Sequence, residues 1–349
     1  MPRQLSLYCS RYKDCVEELI EFRNVHRDIQ RDRRYFEWRY LERPCAIEPT
    51  VVWAEHEGRR VGALTVFAHD YFVLDGEHAV GILGDISVRK KCRGLGIAGA
   101  MFSFLPQVDT VRQLRRWLVL PNEEAAAPLR KAGWHEIERI GRAVKVLDIG
   151  PRLRASLGGS ELVGAAAAPL NRLARRLSWE GWYRGGSYRG ALVPVIDDRF
   201  DELWQRAEKQ GRIIGVRNAR YLRWRYQDHP TTRYRMLAVS EGDALCGYVM
   251  YRITHNLCQV DDAFCIYPAR HGAHIVGQLL AHVRNNESVS TVSLGINRSF
   301  LDLPWGKFGF VRRSDYQSVM VSGSQPSAGG AWSGASGAKW HLMAGDKDV

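Results

Sequence analysis

The sequence predicts an α/β protein made of two similar halves, each a mixed twisted sheet flanked by helices. Three observations support this: the length of 349 residues, an internal repeat, and strand patterns that alternate with helix patterns. Apolar residues form 45% of the chain and charged residues 25%, a balance typical of folded globular proteins. Disordered and fibrous classes are therefore excluded.

The internal repeat is clearest around two tryptophans. Residues 33–44 read Arg-Arg-Tyr-Phe-Glu-Trp-Arg-Tyr-Leu-Glu-Arg-Pro, and residues 219–230 read Ala-Arg-Tyr-Leu-Arg-Trp-Arg-Tyr-Gln-Asp-His-Pro, which aligns Trp38 with Trp224. Two further matches follow in the same order: Glu57–Gly62 with Glu241–Gly247, and Ala127–Trp134 with Leu303–Phe310. A repeat of this length predicts a duplicated architecture in which the Trp-Arg-Tyr elements serve packing.

The elements of the first half follow from periodicity and turn residues. Tyr35, Trp38 and Leu41 have the spacing of one helix face, and Glu57-Gly58 has the composition of a hairpin turn. Gly133 is placed to end a helix. The predicted elements are helices at Cys15–Phe22 and around Trp38, strands at Val51–Ala54, Val61–Phe67 and Val80–Val88, a helix at Ile97–Leu105, a strand at Trp117–Leu120, a helix at Glu123–Lys131 and a strand at Arg142–Ile149.

The second half repeats this order with fewer residues. Its predicted elements are strands at Arg235–Val239, Cys246–Arg252 and Cys258–Ile266, a helix at His274–Val283, a strand at Thr291–Leu294 and a final strand near 339–343. We therefore expect a domain over residues 1–150, a linker with a helix over 151–190, and a degenerate second domain over 191–349. In the linker, Ala165–Leu177 has one apolar and one basic face; we favour packing against its own domain over a membrane-surface helix.

The segment 84–98, Gly-Asp-Ile-Ser-Val-Arg-Lys-Lys-Cys-Arg-Gly-Leu-Gly-Ile-Ala, carries the chemistry. A strand ends at Val88, a loop with Gly94 and Gly96 follows, and an apolar helix begins near Ile97. Glycines let the backbone approach an anion, and the first amides of a helix point toward it. The pattern predicts a pyrophosphate site, with positive charge added by Arg93. Neither the Gly-x-x-x-x-Gly-Lys-Ser/Thr loop nor an early Gly-x-Gly-x-x-Gly fingerprint is present.

Arg93, Gly96 and Ala98 satisfy Arg/Gln-x-x-Gly-x-Gly/Ala, the acetyl-CoA signature of the GNAT acetyltransferase superfamily. About 30 residues later, Asn122 precedes a helix that ends in Gly133-Trp134, which is similar to a second landmark of that superfamily. Residues 34–134 thus resemble bacterial GNAT proteins of the tandem two-domain type, whose relatives often accompany the biosynthesis of cell-surface polysaccharides.

The resemblance implies an enzyme that transfers an acetyl group from acetyl-CoA, its co-substrate, to an amine of a small molecule such as an amino sugar or a nucleotide sugar. It implies cofactor contacts from the strand, the glycine loop, the helix start and the second landmark: Ile86, Ser87, Val88, Arg93, Gly94, Leu95, Gly96, Ile97, Ala98 and Asn122. We expect no metal, no nucleic-acid partner, no membrane span and a monomer or homodimer.

Catalytic residues are less clear from the sequence. Asp85, on the strand, is the first candidate for the general base that deprotonates the amine; a solvent-facing strand-end carboxylate is an equal alternative. Glu77 and Glu123 are weaker candidates. Many superfamily members carry a tyrosine as general acid at the position that, counted back from Gly133, is Leu129 here. Either another hydroxyl or water replaces that acid, or the first half binds acetyl-CoA without catalysis.

The second half departs further from the signature. Its aligned segment, His271-Gly-Ala-His-Ile-Val276, places histidines where Arg93 and Gly96 stand, so we expect a structural role without acetyl-CoA. Three alternative functions remain open: a regulatory protein that binds acyl-CoA without turnover, a basic RNA-binding protein, and an aminoacyl transferase of paired GNAT-like domains.

Net charge, cysteine spacing and the length of apolar runs limit the possible partners, metal sites and location. The net charge of +12 favours anionic partners without selecting one. Seven scattered cysteines without a C-x-x-C pair predict free thiols and no zinc site. The sequence begins without a secretory signal and has no apolar run long enough for a bilayer, so a cytoplasmic location is expected.

Overall fold

The computed structural model describes residues 5–25, 27–74, 76–114, 116–157, 161–297, 303–322 and 338–347. The helices are α1 Val16–Val25, α2 Arg33–Tyr40, α3 Ile97–Phe104, α4 Asp109–Arg112, α5 Glu123–Lys131, α6 Gly150–Leu157, α7 Glu161–Arg176, α8 Trp179–Trp182, α9 Arg199–Arg206, α10 Ala219–Leu222 and α11 Pro268–Asn286. The strands are β1 Leu5–Arg11, β2 Thr50–His56, β3 Arg59–Val73, β4 Gly76–Val88, β5 Arg116–Val119, β6 Trp134–Val146, β7 Tyr188–Val193, β8 Arg212–Gly215, β9 Arg235–Glu241, β10 Ala244–Thr254, β11 Leu257–Cys265, β12 Thr291–Asn297, β13 Val311–Ser322 and β14 Lys339–His341.

The described strands form one mixed sheet rather than two, in the order β1-β2-β3-β4-β5-β13-β6-β12-β11-β10-β9-β7. Strands β8 and β14 pair with each other, and β8 also pairs with β3. The predicted α/β class is confirmed. The two expected sheets are joined because β6 of the first half and β13 of the second half each pair with a strand of the other half.

This exchange of strands is reciprocal. Strand β6, the last of the first half, pairs with β12, and β13, the long strand that precedes β14 in the second half, pairs with β5. Strands β6 and β13 also pair with each other at the centre of the sheet. Neither half therefore completes its sheet from its own strands, and the division near residue 150 stays a prediction.

The repeated Trp-Arg-Tyr elements meet at the junction of the halves. The Trp38 indole N–H donates to the Trp224 carbonyl (2.6 Å), and the Trp224 indole N–H donates to the Trp38 carbonyl (2.7 Å). The two rings stack with centroids 5.2 Å apart and planes 16° apart, and both are buried. The prediction of a packing role for this repeat is confirmed.

Helix α7 differs from its predicted packing. Leu170, Leu173 and Leu177, which mark the apolar face, are 49%, 54% and 80% exposed. The expectation that this face is covered by its own domain is therefore wrong for these three leucines. No helix in the described part of the chain has the length and apolar character needed to cross a membrane.

Candidate active site

A cleft opens where β4 and β5 separate. Their parallel pairing covers only Val80–Ile82 of β4, after which β4 continues to Val88 while the chain beyond β5 turns away. Within β4, Asp85 and Ile86 lie opposite the single residue Leu64, which makes a β-bulge, and Asp85 has a positive φ of 48°. The bulge breaks the ladder with β3 and turns this stretch of backbone toward the cleft.

The glycine loop forms the floor of one end of the cleft. Gly94 and Gly96 have φ of +82° and +79°, in the left-handed region that glycine adopts without strain, and Gly96 is the N-cap of α3. A Cβ atom at either glycine would meet nothing within 4 Å. Among the described residues, none accepts a hydrogen bond from the amides of residues 94–98. Several free donors thus converge at a helix N-terminus, the arrangement that binds phosphate groups.

The cleft has a volume of about 820 Å³ and brings together most of the predicted cofactor residues. Its lining includes Ile86, Ser87, Val88, Arg93, Gly94, Gly96, Ile97, Ala98 and Asn122. The Leu95 side chain is 46% exposed and is not part of the lining, so only its backbone amide is available there.

Two polar side chains flank the cleft from its walls. Arg93 is half-exposed, with one guanidinium nitrogen 3.5 Å from the Glu124 carboxylate. The Asn122 Oδ1 accepts a hydrogen bond from the Ala125 amide (3.0 Å) and so caps α5. Asn122 fixes the start of α5, and Arg93 supplies positive charge beside the free amides.

Asp85 is surrounded by donors. Its buried carboxylate accepts hydrogen bonds from the Arg23 guanidinium (3.1 Å) and the Tyr40 hydroxyl, and Arg39 lies 3.8 Å away. Burial alone would raise the pKa of Asp85, but Arg39 and Arg23 outweigh it, and the pKa lies below its ordinary value. The carboxylate is not solvent-facing. It ties α1 and α2 to the β4 bulge, and its low basicity disfavours the predicted role of general base.

The other catalytic candidates lie elsewhere. Glu77 lies at the start of β4, the end of the strand away from the bulge. Its carboxylate accepts a hydrogen bond from the Trp204 indole N–H (2.8 Å). Glu123 lines a different cavity, described below. Leu129 is fully buried in the core, whereas α5 lines the cleft with Glu124, Ala125, Ala127, Pro128 and Lys131. Leu129 is therefore not the cleft-facing position, and no α5 residue in the lining carries a hydroxyl.

A second cavity of about 460 Å³ adjoins the cleft and shares Arg27, Ile86, Asn122 and Ala125 with it. Four arginines line this second cavity: Arg23, Arg27, Arg31 and Arg39. Arg27 donates to the Ile86 carbonyl (3.0 Å). The Arg31 guanidinium lies over the Tyr35 ring, and its buried Nε has no hydrogen-bond partner in the described part of the chain. Sequence reasoning missed these residues, although the recurrence of Arg39 as Arg225 in the repeat was a visible signal.

The second half lacks an equivalent loop. Only Ile266 and Tyr267 separate β11 from α11, whereas residues 89–96 separate β4 from α3. The segment aligned with the glycine loop lies within α11, where His274 stacks on the Tyr188 ring with centroids 3.6 Å apart. Our predicted start of this helix at His274 was wrong; it begins at Pro268.

One group of potential metal ligands also lies in the second half. Single ligand atoms of Glu241, Cys246 and His271 lie within 4.8 Å of one another. Glu241 already accepts from Arg270 (2.7 Å), and the His271 Nδ1 lies 2.9 Å from the Tyr188 hydroxyl. Cysteine spacing in the sequence did not reveal this cluster, because its members come from β9, β10 and α11.

Comparisons with known proteins agree with this geometry. Residues 12–134 match the acetyltransferase (GNAT) family. A probable N-acyltransferase from Enterococcus faecalis V583 superimposes with a TM-score of 0.61 at 11% identity, covering 91% of this chain and 72% of that one. A GCN5-related N-acetyltransferase from Anabaena variabilis gives 0.61 at 13% identity, covering 90% and 72%. A tandem GNAT protein from the clavulanic acid biosynthesis pathway gives 0.53 at 14% identity, covering 93% and 100%. The sequence has no significant match among curated proteins.

Proposed function

We propose that this chain is an acetyltransferase of the GNAT superfamily, whose first half binds acetyl-CoA and transfers the acetyl group to an amine of a small, negatively charged acceptor. The enzyme class follows from the family match over residues 12–134. The identity of the donor, the location of its site and the class of the acceptor are our proposals. The acceptor class that fits best is an amino sugar or its nucleotide.

The free amides of residues 94–98 are the main support for acetyl-CoA as the donor. They open into a cleft whose length runs from the glycine loop to the β4 bulge. A diphosphate at the amides would gain charge-assisted hydrogen bonds together with the field of α3. The pantetheine arm would then extend along Ile86–Val88, where it would share or replace the bond from Arg27 to the Ile86 carbonyl.

The second cavity, lined by Arg23, Arg27, Arg31 and Arg39, supports the proposed class of acceptor, and we call it the acceptor-side cavity. Arg23 and Arg39 share the single carboxylate of Asp85, whereas Arg27 and Arg31 bring further positive charge to a cavity that adjoins the bulge. A negative group on the acceptor would bind these guanidinium groups and orient its amine toward the cleft. Anionic acceptors are favoured over neutral ones for this reason.

In the reaction, acetyl-CoA supplies a thioester whose carbonyl carbon is attacked by the neutral amine. The β4 backbone at the bulge is placed to orient the carbonyl and to stabilise the negative charge that develops on its oxygen. The amine gains the acetyl group and loses a proton, and the sulfur leaves as coenzyme A thiolate. Because Asp85 is held by two hydrogen-bond donors and a further guanidinium 3.8 Å away, we assign the proton to solvent in the open cleft and give Asp85 a positioning role.

An acetyl-transfer assay tests the proposal. Release of coenzyme A thiol from acetyl-CoA is measured with glucosamine, glucosamine phosphates, nucleotide-linked amino sugars and neutral amines. We expect turnover with at least one anionic amine and a lower KM for phosphorylated than for neutral acceptors. Equal rates for neutral and anionic amines would contradict the assignment of the acceptor-side cavity.

A regulatory protein that binds acetyl-CoA without turnover is the second candidate. It is favoured by one observation, the lack of a hydroxyl among the α5 residues that line the cleft. Measurable acetyl-CoA binding together with no thiol release across the whole panel would select this candidate.

Replacement of Asp85 by asparagine tests its positioning role. We expect the free energy of unfolding at pH 7 to fall by about 2–4 kcal/mol, because Arg23 and Arg39 lose their buried counter-charge. Since the pKa of Asp85 is lowered in the folded protein, its stabilisation is present above the ordinary carboxyl pKa and is lost as pH falls through the folded value. The stability gap to the wild type should therefore close in strongly acidic solution.

The pH profile of the same variant separates positioning from base catalysis. We expect kcat/KM of Asp85→Asn to keep the wild-type midpoint of its rising limb, at reduced height. The exposed Asp28, which lines the same cavity, provides the matched control as Asp28→Asn, with little loss of stability. If the rising limb disappears only in Asp85→Asn, Asp85 is the base after all.

A further inference from the structure

A third cavity, of about 840 Å³, lies where the two halves share the sheet. Its charged lining comes from β6, β10, β11, the π-helix Arg223–Gln227, the start of α5 and the C-terminal segment. The cationic residues outnumber the acidic ones by five to two: Arg139, Arg142, Arg225, Arg252 and Lys347 against Glu123 and Asp261. We call this the junction cavity. Its excess of positive charge in a concave site favours an anion.

Arg225 is the most informative residue of the junction cavity. It is 3% exposed, and its Nε donates to the Gly345 carbonyl (3.1 Å). Its Nη1 is buried and has no hydrogen-bond partner in the part of the chain that the structure describes. A guanidinium stays protonated in a protein, and an unpaired buried donor is costly. An oxygen anion in the adjoining cavity would satisfy it.

The repeat provides an internal comparison, because Arg225 is the counterpart of Arg39. In the first half, Asp85 lies 3.8 Å from the Arg39 guanidinium and compensates its charge. In the second half, the neighbouring carboxylates bind other arginines: Asp261 binds Arg252 (2.8 Å) and Asp262 binds Arg217 (3.1 Å). The second copy thus keeps the buried arginine and directs its carboxylates elsewhere.

We infer that the junction cavity binds a phosphate or diphosphate group through Arg225, Arg142 and Arg252, and that this group belongs to the acceptor. Gln317 lines both the junction cavity and the acceptor-side cavity, so the two spaces adjoin. An acceptor with more than one anionic group spans them: its amine lies at the β4 bulge, one negative group lies at Arg27 and Arg31, and a further phosphate lies between the halves. The assignment to the acceptor rests on the proposed function, whereas anion binding itself does not.

Titration calorimetry with inorganic pyrophosphate and with uridine diphosphate tests the site on the full chain. The Gly96→Trp background removes binding at the glycine loop, so that the remaining heat reports the junction cavity together with the acceptor-side cavity. Arg142 lines only the junction cavity, so its charge reversal distinguishes the two. In that background Arg142→Glu is expected to weaken binding of both probes by at least about tenfold, since a charge-assisted contact becomes repulsive. Arg142 is exposed, so its replacement leaves the core intact, unlike that of the buried Arg225.

The matched control is Arg189→Glu, the same charge reversal at an exposed position on β7, away from the cavity. It should weaken both probes less than about twofold. Equal effects of the two reversals, or unchanged binding in Arg142→Glu, would overturn the inference. Because the titration requires no acyl transfer, a protein that binds the probes as expected but releases no thiol would refute the proposed function and leave this site standing.

Discussion

Replacement of Gly96 by tryptophan is expected to weaken acetyl-CoA binding by at least about 100-fold. The side chain would enter the space around the free amides of residues 94–98, where a Cβ meets no protein atom within 4 Å. Loss of two charge-assisted hydrogen bonds to phosphate, at about 1.5–3 kcal/mol each, accounts for a change of this size. Calorimetric titration with acetyl-CoA measures it.

Gly58→Trp is the matched control for this change. Gly58 has a similar positive φ of 68° and also meets nothing within 4 Å, but it lies in the hairpin between β2 and β3. Both variants carry the backbone strain of a non-glycine residue in the left-handed region, about 1 kcal/mol. Only Gly96→Trp should lose the ligand. Equal affinities in the two variants would place the coenzyme elsewhere.

Truncation of Trp38 to alanine is expected to be the most destabilising single change at the junction of the halves. It removes a buried indole that stacks on Trp224 and leaves the Trp224 carbonyl without its donor. Removal of a buried aromatic side chain lowers the free energy of unfolding by about 3–5 kcal/mol. Because the halves exchange strands β6 and β13, we expect this loss of stability to affect both halves. Urea unfolding measures the free-energy difference.

Trp224→Ala should match Trp38→Ala, because the two indoles exchange equivalent hydrogen bonds. The double variant should cost less than the sum, since the shared contact is lost once. Trp182→Ala serves as control: this indole is 73% exposed and should cost less than about 1 kcal/mol. A cost for Trp38→Ala no larger than for Trp182→Ala would contradict the role of the pair.

The sequence was most informative where a local pattern determines local structure. The glycine loop, the start of α3 at Ile97 and the position of Asn122 directly before α5 were predicted because each follows from a local pattern within a few residues. The repeat predicted the α/β class and the order of strands and helices in the two halves, but not the single sheet that they share. The superfamily comparison over residues 12–134 agrees with the motif that the sequence contained.

What the sequence did not reveal depends on contacts between distant residues. The exchange of β6 and β13 cannot be read from periodicity, because a strand has the same pattern whichever neighbour it pairs with. The environment of Asp85 requires Arg23 and Arg39 from two separate helices. Leu129 was placed by counting back from Gly133, which ignores the direction in which each side of α5 faces.

A crystal structure of the full chain soaked with acetyl-CoA tests the central claim most directly. The account predicts density for the coenzyme in the cleft of the first half, with the diphosphate on the amides of residues 94–98 and the thioester near the bulge at Ile86. Coenzyme bound at the Pro268 end of α11 in the second half, with the first cleft lacking it, would contradict the account.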